Sequence, residues 1–236
     1  MPNPQIVRDM FSSVAKSYNL MNTAMTLGMD GLQRDVLARN IVATRSRSIL
    51  DIACGSGVLT FAIAHAFAGK KLTTRIVGID FCDELLAIAT RDCATKKFPS
   101  VSVEFQKADA LCLPFPNESF EAVTIGFGIR NFESRPKSYS EILRVLRPGG
   151  RLFILETSQP VGWMRPIHFM WASLVPPFAK LIGSNEKAYR HLIDSSRTFP
   201  SAEALAEELK QNNFNDVKFK RLLGGTIAMH WGRKAS

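Results

Sequence analysis

The stretch SILDIACGSGVLTFAIAH, Ser48 to His65, decides how the rest of the chain is read. An apolar, β-branched run reaches Asp51, passes through Gly55-Ser56-Gly57 and turns at once into a second apolar run. That order predicts a buried strand, a tight turn and a helix from about Val58 to Phe67. Glycines directly after a first strand let a ligand approach the backbone, and the start of the next helix favours negative or electron-rich groups. A dinucleotide fingerprint needs a third glycine where this chain has Thr60. A phosphate loop needs G-x-x-x-x-G-K-[ST], which the chain lacks. By itself the glycine pair equally describes a plain strand-to-helix turn without a ligand.

Outward from this turn, strand and helix signals alternate. RIVGID, ending at Asp80, is the next strand, and DELLAIATRDCATKK the next helix, with Asp83 as its expected N-cap. VSVEFQKAD, ending at Asp109, is a third strand and FEAVTIGFGI a fourth. KSYSEILRVL is a helix stopped by Arg147-Pro148-Gly149-Gly150, and RLFILET is a fifth strand. Apolar strands separated by helices predict a parallel sheet covered on both faces. SAEALAEELKQNNF is a helix capped by Ser201. Gly224-Gly225 then splits two strand-like runs, which predicts an antiparallel hairpin closing the sheet. Residues 1–45 read as an N-terminal helical cap jointed at Gly28 and Gly31. Residues 46–236 form the main domain, with a Pro- and aromatic-rich helical insert around 160–200.

Composition narrows the classes. The 236 residues are 46% hydrophobic and 22% charged, an ordinary balance for a globular protein with a full core. The net charge of +9 suits nucleic acid, an anionic membrane, an anionic substrate, or merely a basic solvated surface. Cys54, Cys82, Cys93 and Cys112 form no C-x-x-C pair, and no histidine stands near them at ligand spacing, so no metal site is expected. Reduced thiols, no signal peptide and no bilayer-length apolar run predict a cytoplasmic protein.

Asp51 lies in the first strand, and Asp80 and Asp109 end the next two. Each alone is more often a cap or turn residue. Together they line the rim where parallel sheets bind ligands. Asp80 suits a pair of ribose hydroxyls, and Asp109-Ala110 suits an adenine edge. D-I-A-C-G-S-G, V-G-I-D, K-A-D-A and L-R-P-G-G-R-L together resemble the S-adenosylmethionine-dependent methyltransferases. That resemblance implies a Rossmann-like α/β fold: seven strands, mostly parallel, with a C-terminal antiparallel hairpin and helices on both faces. S-adenosyl-L-methionine has no pyrophosphate, so the missing third glycine is no obstacle.

MFSSVAKSYNLMNTAMTLGMDGLQR, GFGIRNFESRPKSYSEILRVLRPGGRLFILETSQP, YRHLIDSSRTFP and GGTIAMHWGRK are similar to the UbiE/MenG-type ubiquinone/menaquinone biosynthesis methyltransferases, from about Val7 to Lys234. This resemblance implies C-methylation of a polyprenylated hydroquinone, as in demethylmenaquinol to menaquinol. It places cofactor contacts on Ser56, Asp80, Asp109 and Ala110, with Asp51, Gly55, Gly57, Phe81 and Gly126 around them. Cys54 stands where relatives carry glycine, and Gly126 where some carry serine.

Carbon methylation needs an electron-rich ring carbon in line with the sulfonium methyl. Ionising a hydroquinol hydroxyl with a pKa of about 10 costs roughly 4 kcal/mol at pH 7. A cation or a base beside that oxygen lowers the cost. Arg130, after the fourth strand, is the first candidate for the cation; a structural pair with a carboxylate is the other reading. Asn131 either orients the same oxygen or caps a helix. Tyr18 is a candidate substrate contact or a core aromatic, and His230 a candidate base or a structural strand histidine.

The expected partner is a membrane-resident polyprenyl hydroquinone. Segment 160–183 and the positive charge suit peripheral contact with anionic lipid at the inner face of the membrane, or plain core packing. A homodimer is an admissible assembly. The rivals are a methyltransferase for another lipid, phenol or amine, a nucleic-acid-binding module and an NAD-dependent oxidoreductase. Scattered lysines and arginines count against nucleic acid, and Thr60 against NAD.

Overall fold

A computed structural model describes residues 30–162, 164–166, 170 and 193–236. The chain enters through helix α1 (Asp30–Ala43) and strand β1 (Ser48–Ile52), and the glycine turn leads into α2 (Val58–Gly69). Then follow β2 (Thr74–Asp80), α3 (Asp83–Ala94), β3 (Val101–Lys107), β4 (Phe120–Gly126), a 3-10 turn at Ile129–Asn131, α4 (Arg135–Val145) and β5 (Leu146–Thr157). Helix α5 (Ala202–Gln211), β6 (Asn215–Leu222) and β7 (Ile227–Arg233) close the fold. The strands form one sheet in the order β3-β2-β1-β4-β5-β7-β6. β1 pairs in parallel with β2 and β4, while β7 runs antiparallel to both β5 and β6. The hairpin expected around Gly224-Gly225 is there.

Burial follows position in the sheet. β1 and β4 are central and nearly sealed on both faces, which is why their sequences do not alternate. β3 and β6 are edges and do alternate. One face is covered by α1 and α2, with Leu37, Ile41, Ile63 and Phe67 fully buried against Ile49, Phe153 and Leu155. The other lies under α4 and α5, where Tyr139, Ile142, Leu205 and Leu209 meet Leu50, Leu152 and Ile154. Each such aliphatic side chain contributes about 1.5–3 kcal/mol of transfer free energy. α5 shows the pattern plainly: Ala202, Leu205, Ala206 and Leu209 form its buried stripe, and Ser201 Oγ accepts from the Ala204 amide at its start.

Several boundaries differ from expectation. Cys82, not Asp83, is the N-cap of α3; Asp83 is the first helical residue, where its charge favours the helix dipole. β3 ends at Lys107, so Asp109 lies in the turn beyond it rather than at the strand's end. Gly31 is inside the first turn of α1 and not a joint. Gly28 and most of the aromatic segment, including Trp163, Phe169 and Trp171, lie outside the described residues. Among the described residues no helix is long and apolar enough to cross a membrane.

Candidate cofactor cleft and acceptor site

Ala53 to Gly57 carry the chain from β1 into α2. Ala53, Gly55 and Gly57 take φ values of 55°, 56° and 80°, so the backbone doubles back at alternate positions. Gly57 has no substitute: a Cβ there would lie 2.9 Å from Phe105 Cζ in a left-handed conformation. The turn is pinned by its own amides. Cys54 N–H donates to the Ile79 carbonyl at 2.9 Å, and Gly57 N–H to the Cys54 carbonyl at 2.9 Å. Gly55 N–H donates to Asp80 Oδ2 at 2.8 Å. Gly57 caps α2 without a side-chain bond, so the positive end of that helix meets the cleft uncapped.

Arg34, Asp51, Ala53, Cys54, Gly55, Ser56, Val58, Leu59 and Gly126 line an open cleft of about 350 Å³, solvent at its mouth included. Asp51 is fully buried on β1. Its two oxygens accept from Thr60 Oγ1 at 2.6 Å and Thr124 Oγ1 at 2.7 Å. Burial pushes its carboxyl up to about 6, with the Asp80 charge adding to the rise; the two hydroxyls and Arg34 oppose it. Asp80 Oδ1 accepts the Cys82 amide at 2.9 Å while Oδ2 holds Gly55. Burial raises the Asp80 carboxyl, and the amides of Cys82, Gly55 and Phe81 restrain the rise. Asp80 therefore ties the glycine turn to the end of β2. Phe81 follows it, half-buried.

The Asp109 turn is fastened to this rim by the Ala108 amide, which donates to the Asp80 carbonyl at 3.1 Å. Asp109 is exposed, with Ala110 half-buried beside it, and Asp109 Oδ1 accepts the Leu111 amide at 2.8 Å. Gly126 lies on the cleft wall, where a Cβ would meet Leu59 Cδ2 at 2.8 Å. The serine some relatives carry there would need that leucine tip to move.

Arg130 and Asn131 follow β4 directly. Arg130 is buried and paired with Glu156 of β5, its NH1 2.5 Å from Glu156 Oε1 and 2.8 Å from the Phe127 carbonyl. The structural pair with a carboxylate thus exists. It does not exhaust the guanidinium: Arg130 Nε and Asn131 Oδ1 are buried and meet no protein partner. Buried polar groups are rarely left so.

Of the two readings of His230, a candidate base or a structural strand histidine, the surroundings favour the structural one. It sits in mid-strand on β7 opposite Ile154, 1% exposed beneath α5, with Nε2 2.8 Å from the Ala202 carbonyl. Burial lowers its pKa, so the ring stays neutral, and it is not part of the cleft lining. Tyr18 lies outside the described residues.

Arg34, Glu156, Thr60 and Thr124 belong to the site without having been expected there. A signal for Arg34 exists in the sequence: it lies three and four residues before Leu37 and Ala38, on the stripe that α1 buries.

A parallel sheet with a reversed last strand, and a strand–glycine–helix cleft holding carboxylates instead of a phosphate loop, defines an S-adenosylmethionine-dependent methyltransferase. The fold matches a solved S-adenosylmethionine-dependent methyltransferase of Thermotoga maritima, described as a possible histamine N-methyltransferase, with a TM-score of 0.67 at 15% identity over 96% of this chain and 99% of that one. The chain belongs to the ubiE/COQ5 methyltransferase family, whose model matches residues 2–234. It is 37% identical to the demethylmenaquinone methyltransferase of Thermus thermophilus over 94% of this chain and 99% of that protein. It is 32% identical to the demethylmenaquinone methyltransferase of Desulfitobacterium hafniense over 97% of this chain and 89% of that protein.

Proposed function

We propose that the enzyme transfers the methyl group of S-adenosylmethionine to a ring carbon of a polyprenylated hydroquinone, converting demethylmenaquinol to menaquinol. The relatives named demethylmenaquinone methyltransferase support this acceptor. The observation that carries the chemistry is the pair of orphaned buried atoms after β4: a donor on Arg130 Nε and an acceptor on Asn131 Oδ1. A hydroquinol oxygen needs both, the acceptor while it holds its proton and the cation once it has lost it. Arg130 does not deprotonate, so it stabilises the phenolate and takes no proton. Glu156 neutralises the guanidinium and fixes its direction.

The donor supplies an electrophilic methyl on sulfur. Asp80 accepts the Gly55 amide on Oδ2 and the Cys82 amide on Oδ1, with the Phe81 amide a further donor, and the ribose hydroxyls take the carboxylate's remaining capacity as an acceptor. Ser56 and the uncapped start of α2 are positioned for its polar groups, and Phe81 and Asp109-Ala110 for the adenine. The acceptor's tail resides in a bilayer. Exposed Leu32, Val161 and Met170, with a net charge of +9, favour contact with an anionic lipid surface.

The test is an acceptor panel. Purified protein with S-adenosylmethionine forms menaquinol from reduced demethylmenaquinol and leaves histamine unmethylated; Arg130→Ala lowers kcat about 100-fold or more. Methylation of the amine with demethylmenaquinol left untouched overturns the assignment.

A further inference from the structure

A further orphaned polar atom lies just beyond Glu156. Ser158 is 5% exposed, and its hydroxyl has no partner in the protein. β5 ends at Thr157, but its ladder runs one residue further: the Ser158 amide donates to the Thr226 carbonyl at 2.8 Å. Side chains two apart on such a strand share a face, about 6–7 Å from one another. Ser158 therefore follows Leu152, Ile154 and Glu156 on the face that packs under α4 and α5. Glu156 is the carboxylate that holds Arg130, taking its NH1 at 2.5 Å and its backbone amide at 3.4 Å. The chain is anchored again one residue after Ser158. Gln159 Nε2 donates to the Arg197 and Phe199 carbonyls, both at 2.9 Å, and the buried Phe199 ring joins the apolar core of that same face.

Buried hydroxyls as a rule find a partner, so one left without any is free for a ligand. A hydroquinone carries two hydroxyls para to each other. An oxygen bound at Arg130 and Asn131 fixes one end of the ring, and about that end the ring still pivots. A second hydrogen bond at the far oxygen fixes its plane and holds the reacting carbon in line with the sulfonium methyl. Ser158 stands one strand alternation beyond Glu156, a reach that suits the breadth of a single aromatic ring, and its hydroxyl both donates and accepts. We infer that Ser158 binds the acceptor's second ring oxygen, the one para to the oxygen at Arg130. This rests on the proposed hydroquinone acceptor. It makes Ser158 a specificity residue that separates dihydroxylated rings from phenols with one hydroxyl, and it takes no proton in the transfer.

Anaerobic calorimetry on the complex with S-adenosylhomocysteine tests it, with two acceptor ligands. One is short-chain reduced demethylmenaquinol. The other is the matching prenylated naphthol, which keeps the hydroxyl beside the methylated carbon and lacks the one para to it. Ser158→Ala weakens binding of the quinol about 5- to 30-fold, the range for a buried neutral group left unpaired, and leaves the naphthol within about twofold. An equal loss for both ligands overturns the inference, since it marks a packing role; so does an unchanged quinol affinity. If Ser158→Ala also loses S-adenosylhomocysteine, the wild-type protein decides alone: it binds the quinol about 5- to 30-fold more tightly than the naphthol, and equal affinities overturn the inference. A wild-type complex that binds neither ligand removes the hydroquinone reading itself, and the inference falls with it.

Discussion

Asp51 shows how much one buried carboxylate can reveal. Its raised pKa has a definite sign for stability. An unfolded aspartate titrates near 3.8 and this one near 6, so the folded state holds its proton more firmly. Folding stability from this group therefore falls as pH rises through that window, by up to about 3 kcal/mol once both states are ionised. Asp51→Asn is expected to lose this dependence. The melting temperature of the cofactor-free protein, measured for both forms from about pH 4.5 to 7.5, should show the variant gaining on the wild type as pH rises. A constant difference between them would contradict it. Sequence showed that Asp51 is set in an apolar strand before a glycine turn. It did not show Thr124 on the neighbouring strand, because that contact joins positions 73 apart. The same holds for Arg130, whose partner Glu156 is 26 residues away. His230 stayed open between base and structural histidine for a related reason: a lone strand histidine carries no sign of the helix that will cover it.

Among elements, β1, the turn and α2 were the most legible, since strand, glycines and helix follow one another in sequence and bond locally. The Asp109 turn was less so, because VSVEFQKAD reads as one continuous strand and only the pairing with β2 decides where it stops. Contacts between distant elements were not legible at all. Glu208 on α5 accepts Arg135 Nε at 2.7 Å and NH2 at 2.9 Å, and Tyr139 Oη donates to it at 3.0 Å, which joins α5 to α4. All three are partly or wholly buried, so this clamp outweighs a surface ion pair. Glu208→Gln is expected to destabilise the fold by about 1–3 kcal/mol in urea unfolding. S-adenosylhomocysteine affinity should stay within about threefold, because none of the three lines the cleft. A larger loss of affinity would show that α4 and α5 reach the cofactor site.

For the whole molecule, the sheet order sets what the enzyme can do. β1, β2 and β4 bring the glycine turn, Asp80 and Gly126 to one rim, and the return through β5 brings Glu156 beneath Arg130. The donor cleft and the pair proposed for the acceptor are therefore built from neighbouring strand ends. The alternation of strands and helices made this architecture readable, because parallel strands sealed on both faces leave an apolar signature. The direction in which each rim side chain points was not readable, and that is where catalytic roles are decided. The central claim is that this rim directs methylation to carbon. The direct measurement is carbon NMR of the product formed from methyl-¹³C-labelled S-adenosylmethionine and reduced demethylmenaquinol. The label should appear as a methyl bonded to a ring carbon; a methoxy signal would contradict the account.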